Sequence, residues 1–216
     1  VGSVAVFAGD FAVGFLDQDG TAARFDVPMG LALNPRDQLL YVCDFENQHV
    51  RRVQNLTTTA TVTTHSDAII AQPTAIGVHT KTNIAFVAQG ALGTLVKIAP
   101  HGNVLSFPTA IGGSVYALCL LGNGDVFAAD YGTGEVTFFD RRNAYAASIV
   151  GSVGPGAVAL AADRSGDNFL TAHDGDSTVR SFSGNYSTPT LTASATRSRS
   201  GTRTTVAAER SCSTTP

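Results

Sequence analysis

A segment of about 40 residues that occurs four times constrains the fold of this chain more than any other feature. The copies begin at Pro28, Pro73, Ser114 and Pro155. Each copy has an apolar stretch, a polar turn, a second apolar stretch and a third, more polar stretch. One copy is too small to bury its apolar residues alone, so neighbouring copies must stack against each other. The sequence therefore predicts a repeat architecture.

Short strands account for the pattern inside each copy. The first turn is rich in turn-forming residues, as in "NPRD" and "GNGD". The second stretch, for example "LLYVCD" or "VFAAD", is apolar at successive positions, which indicates a strand that is covered on both faces. A fourth stretch follows in most copies, as in "TATVTT" and "AASIV". The 22 Gly, 8 Pro and 14% charged residues fit short strands joined by tight turns.

We therefore predict an all-β fold, a β-propeller of four-stranded antiparallel blades. The predicted blades lie near residues 28–66, 73–110, 114–151 and 155–194, and the last of them has an alternative end by residue 183. Residues 2–9, "GSVAVFAG", resemble a fourth strand, which predicts an orphan N-terminal strand.

Residues 184–216 differ in composition from the repeats. Fifteen of these 33 residues are Ser or Thr, which predicts a low-complexity, disordered tail after a propeller domain of residues 1–183. The stretch "TPTLTAS" leaves open a fourth strand for the last blade.

One copy carries a recognisable family pattern. Residues 14–53, "GFLDQDGTAARFDVPMGLALNPRDQLLYVCDFENQHVRRV", resemble an NHL repeat through a Gly- and Asp-rich start, Pro-x-Gly-Leu-Ala, Leu-Tyr-Val-x-Asp, Asn-x-His and a basic strand. The resemblance weakens in the other copies and covers roughly residues 1–183. It implies a β-propeller, usually of six blades, that binds other molecules and in some members performs metal-assisted catalysis. Four copies and one extra strand are fewer than six blades. Either the chain is part of a larger propeller with uncovered end faces, or the ring is unusually small, or further blades have diverged beyond recognition; we favour the first.

Polar residues at the end of the second strand are predicted to have a structural role. Asp44 ends this strand and Asn47 lies in the following turn, where short polar side chains bond backbone N–H groups. His49 opens the third strand and is expected to contact a neighbouring blade. The position of Asp44 is occupied in the other copies by Gln89, Asp130 and His173. We therefore assign Asp44, Asn47, His49 and Asp130 as structural repeat positions, with no catalytic or cofactor-binding residue.

Metal ligands are sparse in the sequence. His173, Asp174 and Asp176 are weak candidates, because a Gly between two Asp is typical of a solvated turn. The segment Asp17 to Gly20 resembles the start of a calcium loop but lacks the later Glu, so we interpret it as a loop of the repeat. No cofactor is predicted.

These features favour an NHL-like propeller that acts as a protein or peptide interaction module. The alternative is a propeller-type hydrolase or lyase that holds a divalent cation in its central channel. The charges argue against nucleic acid, because residues 1–183 contain 10 Lys and Arg against 16 Asp and Glu. The sequence contains no apolar run long enough for a membrane helix and leaves the compartment open.

Overall fold

The computed structural model describes residues 4–107, 111–162, 168–183 and 192–197, the last range by its backbone only. All of the described strands belong to four sheets, and each sheet has four strands in consecutive order. Every described pair of neighbouring strands is antiparallel. Three short 3₁₀ turns lie at Gly20–Ala22, Gly90–Leu92 and Arg141–Asn143.

The first two blades follow the first two sequence copies. Blade 1 consists of β1 (Pro28–Asn34), β2 (Leu39–Asp44), β3 (His49–Gln54) and β4 (Thr61–Thr64). Blade 2 consists of β5 (Pro73–His79), β6 (Ile84–Gln89), β7 (Thr94–Ile98) and β8 (Val104–Ser106).

The last two blades follow the other two copies. Blade 3 consists of β9 (Val115–Leu120), β10 (Val126–Asp130), β11 (Glu135–Asp140) and β12 (Ala146–Ser152). Blade 4 consists of β13 (Ala157–Ala162), β14 (Asn168–His173), β15 (Val179–Ser183) and β16 (Thr192–Arg197). Strand β16 pairs with β15 and lies inside the segment predicted as a tail, so it supplies the fourth strand that the sequence left open.

The hydrophobic core lies between the blades. In β6, Ala85 and Val87 pack into the cluster shared with blade 1, whereas Phe86 and Ala88 pack into the cluster shared with blade 3. Successive side chains of a strand point to opposite faces, so a strand between two blades must be apolar at every position. The predicted coverage of both faces is thus confirmed for this strand.

The blades follow one another in sequence order around the molecule. The first strands of consecutive blades contact each other, β1 with β5, β5 with β9 and β9 with β13. Within the described residues, β1 and β13 share no comparable contact. The prediction of an all-β, four-bladed propeller is confirmed.

The predicted orphan N-terminal strand is wrong for the residues that the structure describes. Residues 4–9 have no strand assignment. The free edge of β4 is instead taken by residues 18–20, since Val62 N donates to Gln18 O at 3.0 Å and Gly20 N donates to Ala60 O at 2.7 Å. A strand needs a partner edge, and this one is already occupied. Residues 8–25 therefore run across the outer face of blade 1, where Ala23 and Phe25 contribute to an apolar cluster.

Apolar side chains remain exposed at both ends of the row of blades. Leu31 and Leu33 of β1 are 63% and 53% exposed. Leu170 of β14 and Val179 of β15 are each 53% exposed. Among the described residues, no helix is long and apolar enough to cross a membrane.

Candidate binding cleft between blades 3 and 4

The start of the first strand and the end of the second strand lie side by side in every blade, as Pro28 and Asp44 do in blade 1. The loops that follow each second strand and the segments that lead into each first strand therefore lie on one face of the protein. We call this surface the loop face. Asp44 and its three counterparts all lie along it.

Asp44 is buried on the loop face and bound by three donors. Its carboxylate accepts hydrogen bonds from Asp26 N at 2.7 Å, from Asn47 Nδ2 at 2.9 Å and from Arg51 Nη1 at 2.8 Å. Asp44 and Arg51 both have fully buried side chains. Asn47 Nδ2 also donates to Gly14 O at 2.8 Å, so the network ties the N-terminal segment to blade 1.

Arg51 is the centre of this network, and sequence analysis did not recognise its role. Its guanidinium lies 4.8 Å from the ring centroid of Phe15 and 5.2 Å from that of Phe25. It also forms an ion pair with Asp17, whose carboxylate accepts a hydrogen bond from Thr64 N at 2.8 Å. Burial opposes ionisation of Asp17, but the hydrogen bonds from Thr64 and Arg51 outweigh it and lower the pKa of this carboxyl group. A buried, paired Arg51 cannot contact the phosphates of a nucleic acid.

His49 lies beside the same network. Its Nδ1 atom is 2.7 Å from Asn47 O, and its ring centroid is 5.0 Å from that of Phe15. These contacts lie in its own turn and in the N-terminal segment, and not in a neighbouring blade as the sequence led us to expect. The structural roles assigned to Asp44, Asn47 and His49 stay predictions that mutation can test.

The counterparts of Asp44 bind backbone groups in a similar way. Gln89 Oε1 accepts a hydrogen bond from Ala71 N at 3.0 Å, and Ala71 precedes its first strand by the same two residues as Asp26 does. Asp130 is buried and accepts hydrogen bonds from Thr133 N at 2.6 Å and Thr133 Oγ1 at 3.1 Å. These contacts are of the kind that the predicted structural role requires.

The structure separates the weak metal candidates His173, Asp174 and Asp176. The buried His173 ring has Nδ1 2.9 Å from Pro155 O and Nε2 2.9 Å from Thr171 Oγ1. Because a carbonyl oxygen can only accept, Nδ1 donates to Pro155 O, and in the neutral ring this leaves Nε2 as the acceptor for the Thr171 hydroxyl. The two Asp side chains are exposed. Within the described part of the chain, no group of three or more His, Cys, Asp or Glu could hold a metal ion.

Asp174 and Asp176 instead line a cleft on the loop face. The cleft has a volume of about 410 Å³ and lies where blade 3 meets blade 4. Its walls are formed by the loop after β10, the segment before β13 and the loop after β14, with Arg180 of β15. The lining residues are Tyr131, Gly132, Pro155, Gly156, Asp174, Gly175, Asp176 and Arg180.

Backbone hydrogen bonds hold the three segments of the cleft together. Gly156 N donates to Tyr131 O at 2.7 Å, and Asp174 N donates to Gly156 O at 3.1 Å. Gly134 and Gly154 pack closely nearby, since a Cβ on Gly134 would lie 2.0 Å from Gly154 O. The cleft is thus built on three backbone segments that are hydrogen-bonded to one another.

Side chains from both blades meet in the cleft. Tyr131 Oη of blade 3 donates to the Asp174 carboxylate of blade 4, at 3.2 and 3.1 Å from its two oxygens. The hydrogen bond to Asp174, together with its negative charge, raises the pKa of Tyr131. Tyr116 packs edge-on against Tyr131, with ring centroids 5.3 Å apart. On the other wall, Arg180 pairs with Asp176 and donates to Val153 O.

Sequence analysis missed Tyr131 and gave Asp174 only a weak role in metal binding. Both residues come directly after the second strand of their blade, and the corresponding residues in blades 1 and 2 are Phe45 and Gly90. A phenol that faces a carboxylate of the next blade is therefore found at this repeat position in blades 3 and 4 and not in the earlier copies. Aligning the residue that follows the second strand in all four copies would have shown that only the last two copies pair a tyrosine with an aspartate.

Solved structures with low sequence identity share this fold. A protein from Lactobacillus plantarum is 19% identical, with a TM-score of 0.63, over 86% of this chain and 60% of its own. A nidogen–laminin complex is 15% identical, with a TM-score of 0.64, over 72% and 60%. Streptogramin B lyase is 9% identical, with a TM-score of 0.61, over 77% and 53%. The chain has a β-propeller fold.

The propeller described here spans 53 to 60% of the length of these three structures. No protein-family model and no curated protein sequence matches the chain. Identities below 20% show the fold alone, so function has to be argued from the residues of the site.

Proposed function

We propose that this chain is an NHL-like propeller that acts as an interaction module and binds a protein or peptide segment in the cleft between blades 3 and 4. The observation that carries the proposal is the cleft itself, a concave site of about 410 Å³ with an aromatic ring, charged side chains and exposed glycines. Concave sites with a few convergent polar groups are common ligand sites. The NHL-like character rests on the residues of positions 14–53.

The shape of the cleft suits an extended segment. Gly132 and Gly175 are exposed and carry no side chain, so a partner backbone can approach these walls closely. Tyr131 supplies a rigid ring of the kind that is enriched where partners bind. The site lies on loops held by strands, which is the usual place for recognition on repeat folds.

An enzymatic function is the second candidate, because one structure with this fold is a lyase. The contacts of the two metal candidates His173 and Asp176 favour binding over that alternative. The Nε2 lone pair of His173 is used by Thr171, and Asp176 is paired with Arg180. These two groups therefore already have partners that a metal ion or a proton-transfer role would have to displace.

Gly175→Trp tests the proposal. Gly175 lines the cleft and no heavy atom lies within 4 Å of a Cβ added there, so a side chain can start from this position without a backbone clash, and we expect the indole to block the cleft. Gly122→Trp is the matched control, because a Cβ at Gly122 is equally free and lies in the turn between β9 and β10, away from the loop face. A displayed library of random dodecapeptides is selected on the unmodified protein, and the enriched peptides are then measured on both variants.

We expect enriched peptides that bind the unmodified protein and the Gly122→Trp variant, and lose at least tenfold in affinity on Gly175→Trp. A tenfold loss corresponds to about 1.4 kcal/mol. Peptides that bind all three proteins equally, or a selection without enrichment, would overturn the proposal.

A further inference from the structure

We propose that the cleft recognises a cationic side chain, a lysine or arginine of the partner, through Asp174 and the ring of Tyr131. This inference rests on the proposed function and names the chemistry of the anchor. It begins from the charges in the cleft. Asp174 and Asp176 contribute two carboxylates and Arg180 one guanidinium, so the lining has a net charge of −1.

Arg180 does not neutralise Asp174. Its guanidinium donates to Asp176 and to the carbonyl oxygen of Val153. Among the described residues, no cation forms an ion pair with Asp174, whose only side-chain partner there is the neutral hydroxyl of Tyr131. Asp174 is therefore an exposed carboxylate on a concave surface, with capacity to accept further hydrogen bonds.

The aromatic ring adds a second preference for a cation. Tyr131 lies beside Asp174, and its hydroxyl is held by that carboxylate. A cation bound to the carboxylate lies beside this aromatic ring, whose quadrupole attracts positive charge at its face. Arginine can additionally stack its planar group on such a ring. Ring and carboxylate therefore favour the same class of side chain.

Anions and neutral apolar groups fit the cleft less well. A phosphate or carboxylate would be repelled by Asp174 and Asp176, and the one cation in the lining is already paired. An apolar side chain would cover the Asp174 carboxylate without replacing its water, which is unfavourable.

The pairing of ring and carboxylate is specific to this boundary between blades. The residue directly after the second strand is Phe45 in blade 1 and Gly90 in blade 2. At this repeat position, the boundaries between blades 1 and 2 and between blades 2 and 3 therefore do not pair an aromatic residue with a carboxylate. The arrangement is therefore not required to build a blade. It is a local feature suited to a ligand.

Small probes can test the chemistry directly. Nα-acetyl-arginine N-methylamide and its lysine counterpart carry the charge, and Nα-acetyl-citrulline N-methylamide has the shape of the arginine probe without its charge. Each is titrated into the ¹⁵N-labelled chain while amide shifts are recorded for the loops after β10 and β14 and the segment before β13. We expect both charged probes to shift these amides with saturation, and the citrulline probe to bind about five- to tenfold more weakly.

Asp174→Asn keeps the size and the acceptor for Tyr131 and removes the charge. We expect it to weaken the arginine probe to the level of the citrulline probe. Glu135→Gln is the matched control, because Glu135 is exposed at the start of β11 and does not line the cleft. It should leave the affinity within twofold. Unchanged amide shifts away from the cleft show that each variant remains folded.

Equal binding of the arginine and citrulline probes, or full retention of affinity in Asp174→Asn, would overturn the inference. Saturable binding of an oligodeoxythymidine at these amides would overturn it in favour of a nucleic acid. Selected peptides that are blocked by Gly175→Trp but unaffected by Asp174→Asn would refute the cationic anchor and leave the proposed function standing. Peptides that are unaffected by Gly175→Trp would refute the proposed function itself.

Discussion

Replacing Asp44 with alanine should destabilise the protein strongly. The substitution removes the acceptor of hydrogen bonds from Asp26 N, Asn47 Nδ2 and Arg51 Nη1, and it leaves the fully buried Arg51 with Asp17 as its remaining charged partner. Loss of one member of a buried ion pair costs about 3 to 5 kcal/mol. Because Asp17 still pairs with Arg51, we expect about 3 kcal/mol.

Two comparison variants isolate the cause of this loss. The Asp17 side chain is 44% exposed, so Asp17→Ala should cost only about 1 kcal/mol. The double variant Asp44→Ala/Arg51→Met removes both buried charges, and it should be more stable than the sum of the single changes by about 1 to 3 kcal/mol.

Equilibrium unfolding in urea at pH 7 measures these free energies, and hydrogen exchange of residues 10–26 reports whether the N-terminal segment has detached. We expect faster exchange in this segment for Asp44→Ala. A cost below about 1 kcal/mol without coupling to Arg51 would refute the structural role of Asp44. So would a variant that unfolds like the parent but no longer binds the selected peptides.

Two further predictions follow from glycine packing and from a buried histidine. Gly134 has a φ of +71° and a Cβ there would lie 2.0 Å from Gly154 O, so Gly134→Ala should cost more than about 1 kcal/mol in urea unfolding. Gly122→Ala, with nothing within 4 Å, should change stability by less than about 1 kcal/mol, and equal effects of the two would contradict the packing. Burial, with a smaller effect of Arg52, lowers the pKa of His65 to about 4. The unfolded chain binds this proton near pH 6.5 and the folded chain only near pH 4, so His65 should reduce stability as the pH falls between these values. Urea unfolding at pH 7 and pH 5 should show a smaller loss for His65→Leu than for the parent, and an equal loss would refute the assignment.

The repeat made much of the fold predictable from the sequence. Each blade needs a second strand that is covered on both faces. That requirement produces uninterrupted apolar runs such as Ala85 to Ala88 and Val126 to Ala129. The turns between strands use residue types with known preferences. Local sequence therefore determines the number and the order of these strands.

The N-terminal strand could not be judged in the same way. The stretch "GSVAVFAG" has the composition of a strand, but a strand also needs a free edge to pair with. Residues 18–20 occupy that edge in the structure, and their polar sequence gives no sign of it. Whether these residues form a strand depends on pairing with a distant segment, and the strand propensity of a short sequence does not contain that information.

The cleft was missed for a related reason. Tyr131 and Asp174 are 43 residues apart, and they meet only because blade 3 packs beside blade 4. His173 and Asp174 are adjacent in sequence, yet one is buried in the blade and the other lies on the surface. The metal candidates were chosen because they are close in sequence. The structure places them in different environments, since His173 ends a strand and Asp174 begins the loop that follows it.

The most direct test of the central claim is a hydrogen-exchange footprint of a selected peptide on the full chain. The proposed binding mode predicts slower exchange in residues 131–134, 153–156 and 174–178, which form and border the cleft. Exchange in the Asp44 loop, residues 45–48, should not change. Protection confined to the Asp44 loop or to the exposed apolar face that carries Leu170 and Val179, with no change in the cleft, would contradict it.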